Sequence, residues 1–383
     1  MSYKHKKNFK NFKTYEQAVL MCSRNQLDDD EKEYVRALIK QYDMDWSAFL
    51  GAVLFNRVGG VVYRNIQEIG GFPRRVTSNL RASFESIKER TILHQKEIKK
   101  IDEEFEKQNI RFSFLKGSVL NTMYYEQGER MSNDTDLLVD VNDLKVCSDV
   151  LEKLGYTQGT VENNEIIPAT KKEKIFARLN TYEIVPFVKK IDSKVFPYHE
   201  VDINFRLGND DTTEFAQKML AKSIRIENGK TSVRTLDMEN FFVFLCIHHY
   251  REATMIYKII SGDDLTLYKY LDIHMFIKKT DIDWNKVVEL SKKMGTDIAV
   301  YHTLYHTEII YPGTVEDSVF DMFGFENIDF VNQYKGRDNT EEIYEWENNI
   351  YERFFNVNRR VEALKNIEKE SDRFKEIQKQ LRK

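Results

Sequence analysis

The 383-residue chain has only three cysteines, Cys22, Cys147 and Cys246, and they stand far apart. An odd, scattered set excludes a disulfide framework and a CxxC zinc site. It fits a reducing compartment, so a cytoplasmic location is expected. The sequence also lacks any apolar run near the roughly 18 residues needed to span a bilayer. Residues 1–13 are basic but have no apolar stretch behind them, which excludes a secretory signal. No membrane association is expected. Nor is there a surplus of positive charge: 58 Lys and Arg against 62 Asp and Glu leave a formal net charge of −4. No global basic field therefore advertises a nucleic-acid partner. What is present is 41% hydrophobic, 13% aromatic and 31% charged residues. That balance describes a packed core under a charged surface and excludes global disorder.

Residues 111–141 are the stretch around which the rest is organised. Phe112, Phe114 and Leu115 make a short aromatic-rich run of strand length. Gly117 and Ser118 break that run, and residues 119–125 read as a short helix stopped near Gly128. A second strand follows with Asp134 and Asp136. Strand side chains alternate faces, so both carboxylates point the same way, roughly 7 Å apart along the strand. Two carboxylates on one face repel unless a positive charge sits between them. Hard Mg²⁺ answers this economically, because it takes carboxylate oxygens and substrate phosphates together. The Gly117–Ser118 turn exposes backbone N–H groups suited to a phosphate. Arg130 lies just upstream of the acids. A third acid, Asp202, comes much later in another alternating run, where Glu200, Asp202 and Asn204 share a face.

The order of strand, Gly-Ser, helix, Asp-x-Asp strand and distant acid resembles the DNA polymerase β-type nucleotidyltransferase superfamily. More narrowly, Leu115 to Ser118, Gly128 to Arg130, Asp134 to Val139 and Val201 to Ile203 resemble the bacterial uncharacterised nucleotidyltransferase family. The resemblance runs over residues 40–310, from the Asp45–Trp46 helix start to the helical segment around Cys246, His248, His249 and Asp272. One departure stands out: Asn204 occupies the place, two residues past the third acid, where the family pattern leads one to expect His.

Along the chain, residues 14–110 read as almost all helix. Asp28 caps one helix, Asp45 opens another, and a long charged helix covers 76–108. Residues 142–154 form a helix closed by Gly155. Residues 156–186, with Lys171, Lys172 and Lys174, suggest polar strands or a hairpin leaning over the site. Helices are expected at 238–251, 265–279, 285–293 and 298–310. Asp272 in an apolar helix needs a partner, and His248 and Arg251 are the candidates. Residues 340–383 read as one or two charged helices, the last part solvated or coiled. The expected organisation is a helical segment over 1–108, a catalytic core over 109–235, a helical bundle over 236–315 and a charged helical extension over 316–383.

The expected fold is α+β: a small mixed nucleotidyltransferase-type sheet carrying three Asp, with a helical N-terminal segment and a helical C-terminal domain. The resemblance implies transfer of a nucleoside monophosphate from an NTP such as ATP to an acceptor. Two Mg²⁺ ions, with Mn²⁺ as an alternative, would clamp the attacking and leaving oxygens of an in-line displacement. Asp134, Asp136 and Asp202 would hold the metals, and Asp202 would lower the acceptor hydroxyl's pKa. Gly117 and Ser118 would hold phosphate, and Lys116 and Arg130 would neutralise the leaving pyrophosphate. A small-molecule acceptor is favoured over nucleic acid or protein; the acceptor itself and the oligomeric state are not legible. Two other readings are open: a catalytically silent nucleotide-binding or antitoxin-like module on this fold, and a DxD glycosyltransferase.

Overall fold

A computed structural model describes residues 12–207, 213–229, 231–336, 342–356 and 358–366. The chain forms two compact units. One gathers residues 88–127 and 131–244. The other gathers the residues up to 87, the three residues 128–130, and the described residues from 245 onward.

The first unit is built on an eight-stranded mixed sheet. Its strands are β1 (Phe112–Phe114), β2 (Asp134–Val139), β3 (Thr157–Glu162), β4 (Glu165–Pro168), β5 (Phe187–Lys190), β6 (Tyr198–Asn204), β7 (Ile224–Asn228) and β8 (Thr231–Thr235). They lie in the order β4-β3-β5-β6-β2-β1-β8-β7. β2 pairs in parallel with β6 and antiparallel with β1, while β1 pairs in parallel with β8. The other neighbours are antiparallel. The parallel centre has the chemistry of a strand buried on both faces. Leu137, Leu138 and Val139 in β2 and Val201 and Ile203 in β6 are buried, and the acids together with the buried Thr135, His199 and Asn204 interrupt the apolar run. Helices over Lys116–Met123, Leu144–Lys153 and Thr213–Leu220 accompany the sheet. The latter part of the 34-residue helix Arg74–Lys107 brings Phe105 edge-on against Phe112.

The second unit is helical. Asp28 caps the helix Asp29–Leu38 through Glu31 N–H, in a reciprocal box with the Glu31 side chain, and Asp45 caps Trp46–Phe55. Both acids sit where the helix dipole and unpaired N–H groups favour them. The later helices Met238–Thr254, whose residues up to 244 belong to the first unit, Leu267–Lys279, Trp284–Lys293 and Asp297–Ile310 follow the sequence expectation within a few residues. Gly60 lets two segments meet: a Cβ there would lie 2.1 Å from the carbonyl oxygen of Gly128.

Two expectations are corrected. Residues 171–180 form a helix, not a hairpin, because Thr170 and Glu173 make a complete capping box and the segment has no β-branched alternation. The extension past 340 is not all helix: it opens with a strand. Ile343–Glu345 pairs with Gln333–Lys335 as a two-stranded ladder, followed by short helices at Ile350–Phe355 and Arg360–Asn366. Trp346 seats on Tyr334 there, and burial of that aromatic pair decides the local fold. The coiled reading of the final residues falls outside the described residues.

Candidate active site

Three carboxylates converge. In the parallel ladder Asp136 lies opposite Asp202 and Asp134 opposite Glu200. Register and alternation therefore place all four on one face of two adjacent strands. One ligand oxygen from each of Asp134, Asp136 and Asp202 lies within 4.8 Å of the others. Asp136 is buried, and Asp134 and Asp202 are half-buried.

The site is crowded with like charge. Burial, opposed by Lys116 and reinforced by Asp134, pushes the Asp136 carboxyl up to about 6. Burial together with Asp136, Asp134, Glu200 and Glu183 pushes Asp202 well above the usual carboxylate range. Burial, Asp134 and Glu183 raise Glu200 as well. Lys116 Nζ donates to Asp136 Oδ1 at 2.5 Å.

Lys116 stands at the start of the helix Lys116–Met123 with φ +44°. A left-handed conformation costs a non-glycine residue roughly 1–2 kcal/mol. The turn is held because Leu115 N–H donates to the Asp136 carbonyl, tying the helix start to β2. Leu115, the N-cap, offers no side-chain acceptor to the helix. No N-cap side chain competes for its first turn, where the helix dipole favours an anion. Gly117 and Ser118 are buried in this first turn, and the Ser118 hydroxyl has no hydrogen-bond partner. Lys116, Gly117 and Ser118 all belong to the same unit as the three acids.

Arg130 belongs to the helical unit. Its Nε and Nη2 donate to the two carboxylate oxygens of Asp272, each at 2.8 Å, and both side chains are buried. Asp272 therefore does have an internal partner, Arg130, which the sequence reading did not name for it. His248 instead faces Glu252 at 3.3 Å. Asn204, where the resemblance leads one to expect His, donates to the Leu137 carbonyl and staples β6 to β2.

Sequence reasoning missed two features. Glu183 is hidden in an irregular segment, and only its bridge to Asn204 brings its charge near the acids. Beneath the acids, Thr135 shares hydrogen bonds of 2.8 Å with His94 and His199. His199 Nδ1 in turn meets the Tyr156 hydroxyl, which donates to Glu97. Burial and His94 hold His199 well below its usual pKa, so it stays neutral. The chain pins the middle of β2 to β6, and with it the spacing of the acids on either side.

Comparison with known proteins now decides the family. Residues 42–312, more than half of the chain, match the family described as "Uncharacterised nucleotidyltransferase". The chain belongs to that family. No curated protein matches it. Among solved structures, the chain is similar to an antigenic nucleotidyltransferase-like protein from Paracoccidioides brasiliensis, at 11% identity and a TM-score of 0.36. That similarity covers 60% of this chain and 92% of the fungal one. A score so low carries no weight here. The family assignment supports a nucleotidyltransferase role, and the mixed sheet with its clustered acids agrees with it. Among the described residues, no helix is long and apolar enough to cross a membrane.

Proposed function

We propose that this nucleotidyltransferase moves a nucleoside monophosphate from an NTP to an acceptor hydroxyl, with divalent metal held by Asp134, Asp136 and Asp202. The observation that carries this reading is the convergence of those three carboxylates next to a helix N-terminus whose N-cap supplies no side-chain acceptor. The donor set is all carboxylate oxygen, which suits a hard cation such as Mg²⁺ or Mn²⁺. Bound there, the metal would supply positive charge for the phosphate oxygens and for the developing alkoxide. Its charge would also relieve the repulsion that burial imposes on Asp136 and Asp202.

The protein's own groups have separable tasks. The N–H groups of Gly117 and Ser118, with the Ser118 hydroxyl, receive the phosphate oxygens of the NTP. Lys116 neutralises charge on the leaving pyrophosphate while keeping Asp136 oriented. Asp202, made more basic by its neighbours, takes the proton of the acceptor hydroxyl as it attacks. Arg130 enters this scheme only by exchanging Asp272 for a phosphate. That makes its role a separate test.

The experiment uses each α-labelled NTP with Mg²⁺ and a small-molecule extract from a bacterial host. Transfer of label to extract, dependent on metal and abolished by Asp134→Asn, supports the reading. Tight metal-dependent NTP binding with no transfer to any fraction would point to a silent binding module instead. Absence of metal-dependent NTP binding overturns the reading outright.

A further inference from the structure

We propose that the helix Lys171–Asn180 is a docking surface for a partner protein, which it engages through an acidic segment bearing its own apolar stripe. The helix is turned inside out. Its sheltered side carries Glu173, Lys174 and Ala177, and none of its residues is buried. Its open side carries Leu179 at 70% exposure, Ile175 at 59% and Phe176 at 36%. At about 100° per residue these three fall on one arc. Ile167, on the adjoining edge strand β4, is also exposed. A solvated helix has no use for such an arc, and contiguous apolar exposure marks an interaction surface.

The helix is also held in place. Ala169 N–H donates to the Gln158 carbonyl just before it. After it, Phe205 N–H donates to Tyr182 and Ile184 N–H to the Ile203 carbonyl. Both ends are thus tied to the sheet, so the apolar arc is presented rather than loosely tethered.

Charge selects the occupant. Lys171, Lys172 and Arg178 lie on the same open side. A second copy of this chain would bring three cations against three cations, which disfavours self-association. An anionic lipid surface would satisfy the rim, but Lys172 sits between Leu179 and Phe176 in the middle of the apolar arc. It would have to be drawn below the headgroups. In a protein interface the same lysine meets one fixed carboxylate inside an apolar patch, which gives register and specificity. The surface does not depend on the transferase reading, since it is argued from exposure and charge alone.

The test uses the full chain and a labelled helical peptide with a leucine stripe flanked by glutamates, followed by fluorescence anisotropy. Binding of this peptide is expected, with affinity falling at least about tenfold in both Lys172→Glu and Leu179→Asp. A lysine-flanked version of the peptide should not bind. Leu179→Ser, a neutral change at an exposed position, should also weaken binding without moving the melting temperature. The proposal is overturned if the two peptides bind alike, if neither binds, or if the variants bind as well as wild type. It is also overturned if phosphatidylserine vesicles bind the chain and Lys172→Glu abolishes only that. Concentration-dependent dimerisation lost in Leu179→Asp would overturn it too.

Discussion

Replacing Asp136 by Asn should stabilise the metal-free protein. Burial raises this carboxyl from its usual 3.8 to about 6 despite Lys116. That is roughly two pH units, at about 1.4 kcal/mol each, so keeping Asp136 ionised at pH 7 costs the metal-free fold ~3 kcal/mol. The substitution removes that cost but deprives Lys116 of its partner. The Lys116 side chain keeps 19% of its exposure and can recover part of its hydration. A net gain of ~1–3 kcal/mol remains, a rise of a few degrees in melting temperature for a unit of this size. The sign with pH is fixed by the same shift. A raised carboxyl takes up its proton in the folded chain while the unfolded chain is still ionised. The buried neutral histidines His199, His249, His274, His302 and His306 make the fold lose stability as pH falls below about 6.5, so between about pH 7 and 4.5 in EDTA wild type should lose less than Asp136→Asn, whose loss no raised carboxyl offsets. Glu97, where Lys100 and Lys189 outweigh burial, loses its stabilisation only below that window. Calorimetric melts in EDTA across this range, on both proteins, make the measurement. Added Mg²⁺ should reverse the order, stabilising wild type by mass action and leaving the variant unmoved. A variant that melts lower in EDTA, or one that loses no more stability than wild type as pH falls from about 7 to 4.5, would refute the reasoning and make Asp136 a structural residue.

Four further outcomes are expected. Asp202→Asn should abolish metal-dependent nucleotide binding, read by calorimetric titration, without lowering stability in EDTA. Ser118→Ala removes a buried hydroxyl that has no partner, so the protein should gain about 1 kcal/mol while nucleotide affinity falls by about tenfold. Asp272→Asn leaves Arg130 buried without its counter-charge and should cost ~3–5 kcal/mol. Nucleotide affinity per folded molecule should be unchanged; a change in that affinity would move Arg130 into the nucleotide site. Gly60→Ala drives a methyl into the backbone of Gly128 and Glu129, so its melting temperature should fall with a loss of ~1–3 kcal/mol.

The carboxylate core was legible because its signals are local. Alternation fixes which face Asp134 and Asp136 share, and the same rule places Asp202 with Glu200 on a second strand. What alternation cannot give is the pairing of β2 with β6, which joins residues far apart in sequence; the family resemblance supplied it. Helices capped by Asp28 and Asp45 were readable from cap and period, and they begin where expected. The Lys171–Asn180 helix was misread although Ile175, Phe176 and Leu179 recur at helical spacing, because the segment is short and its run of lysines resembles a polar edge strand. The Arg130–Asp272 pair was invisible for a different reason. Each residue has a plausible local role, and only the fold brings together two charges 142 positions apart.

The brief entry of residues 128–130 into the helical unit has a practical meaning for anyone who would divide this protein. Residues 88–244, cut out as one block, would carry Glu129 and Arg130 away from their partners Arg64 and Asp272. Two buried ions would be stripped of their counter-charges only a few positions before Asp134. The helical half fares no better, because its own block would keep Asp272 and lose Arg130. Truncation and domain exchange at these boundaries each break the same two pairs. Lineages of this chain are thus expected to have varied by change within each unit, not by trading one unit for another.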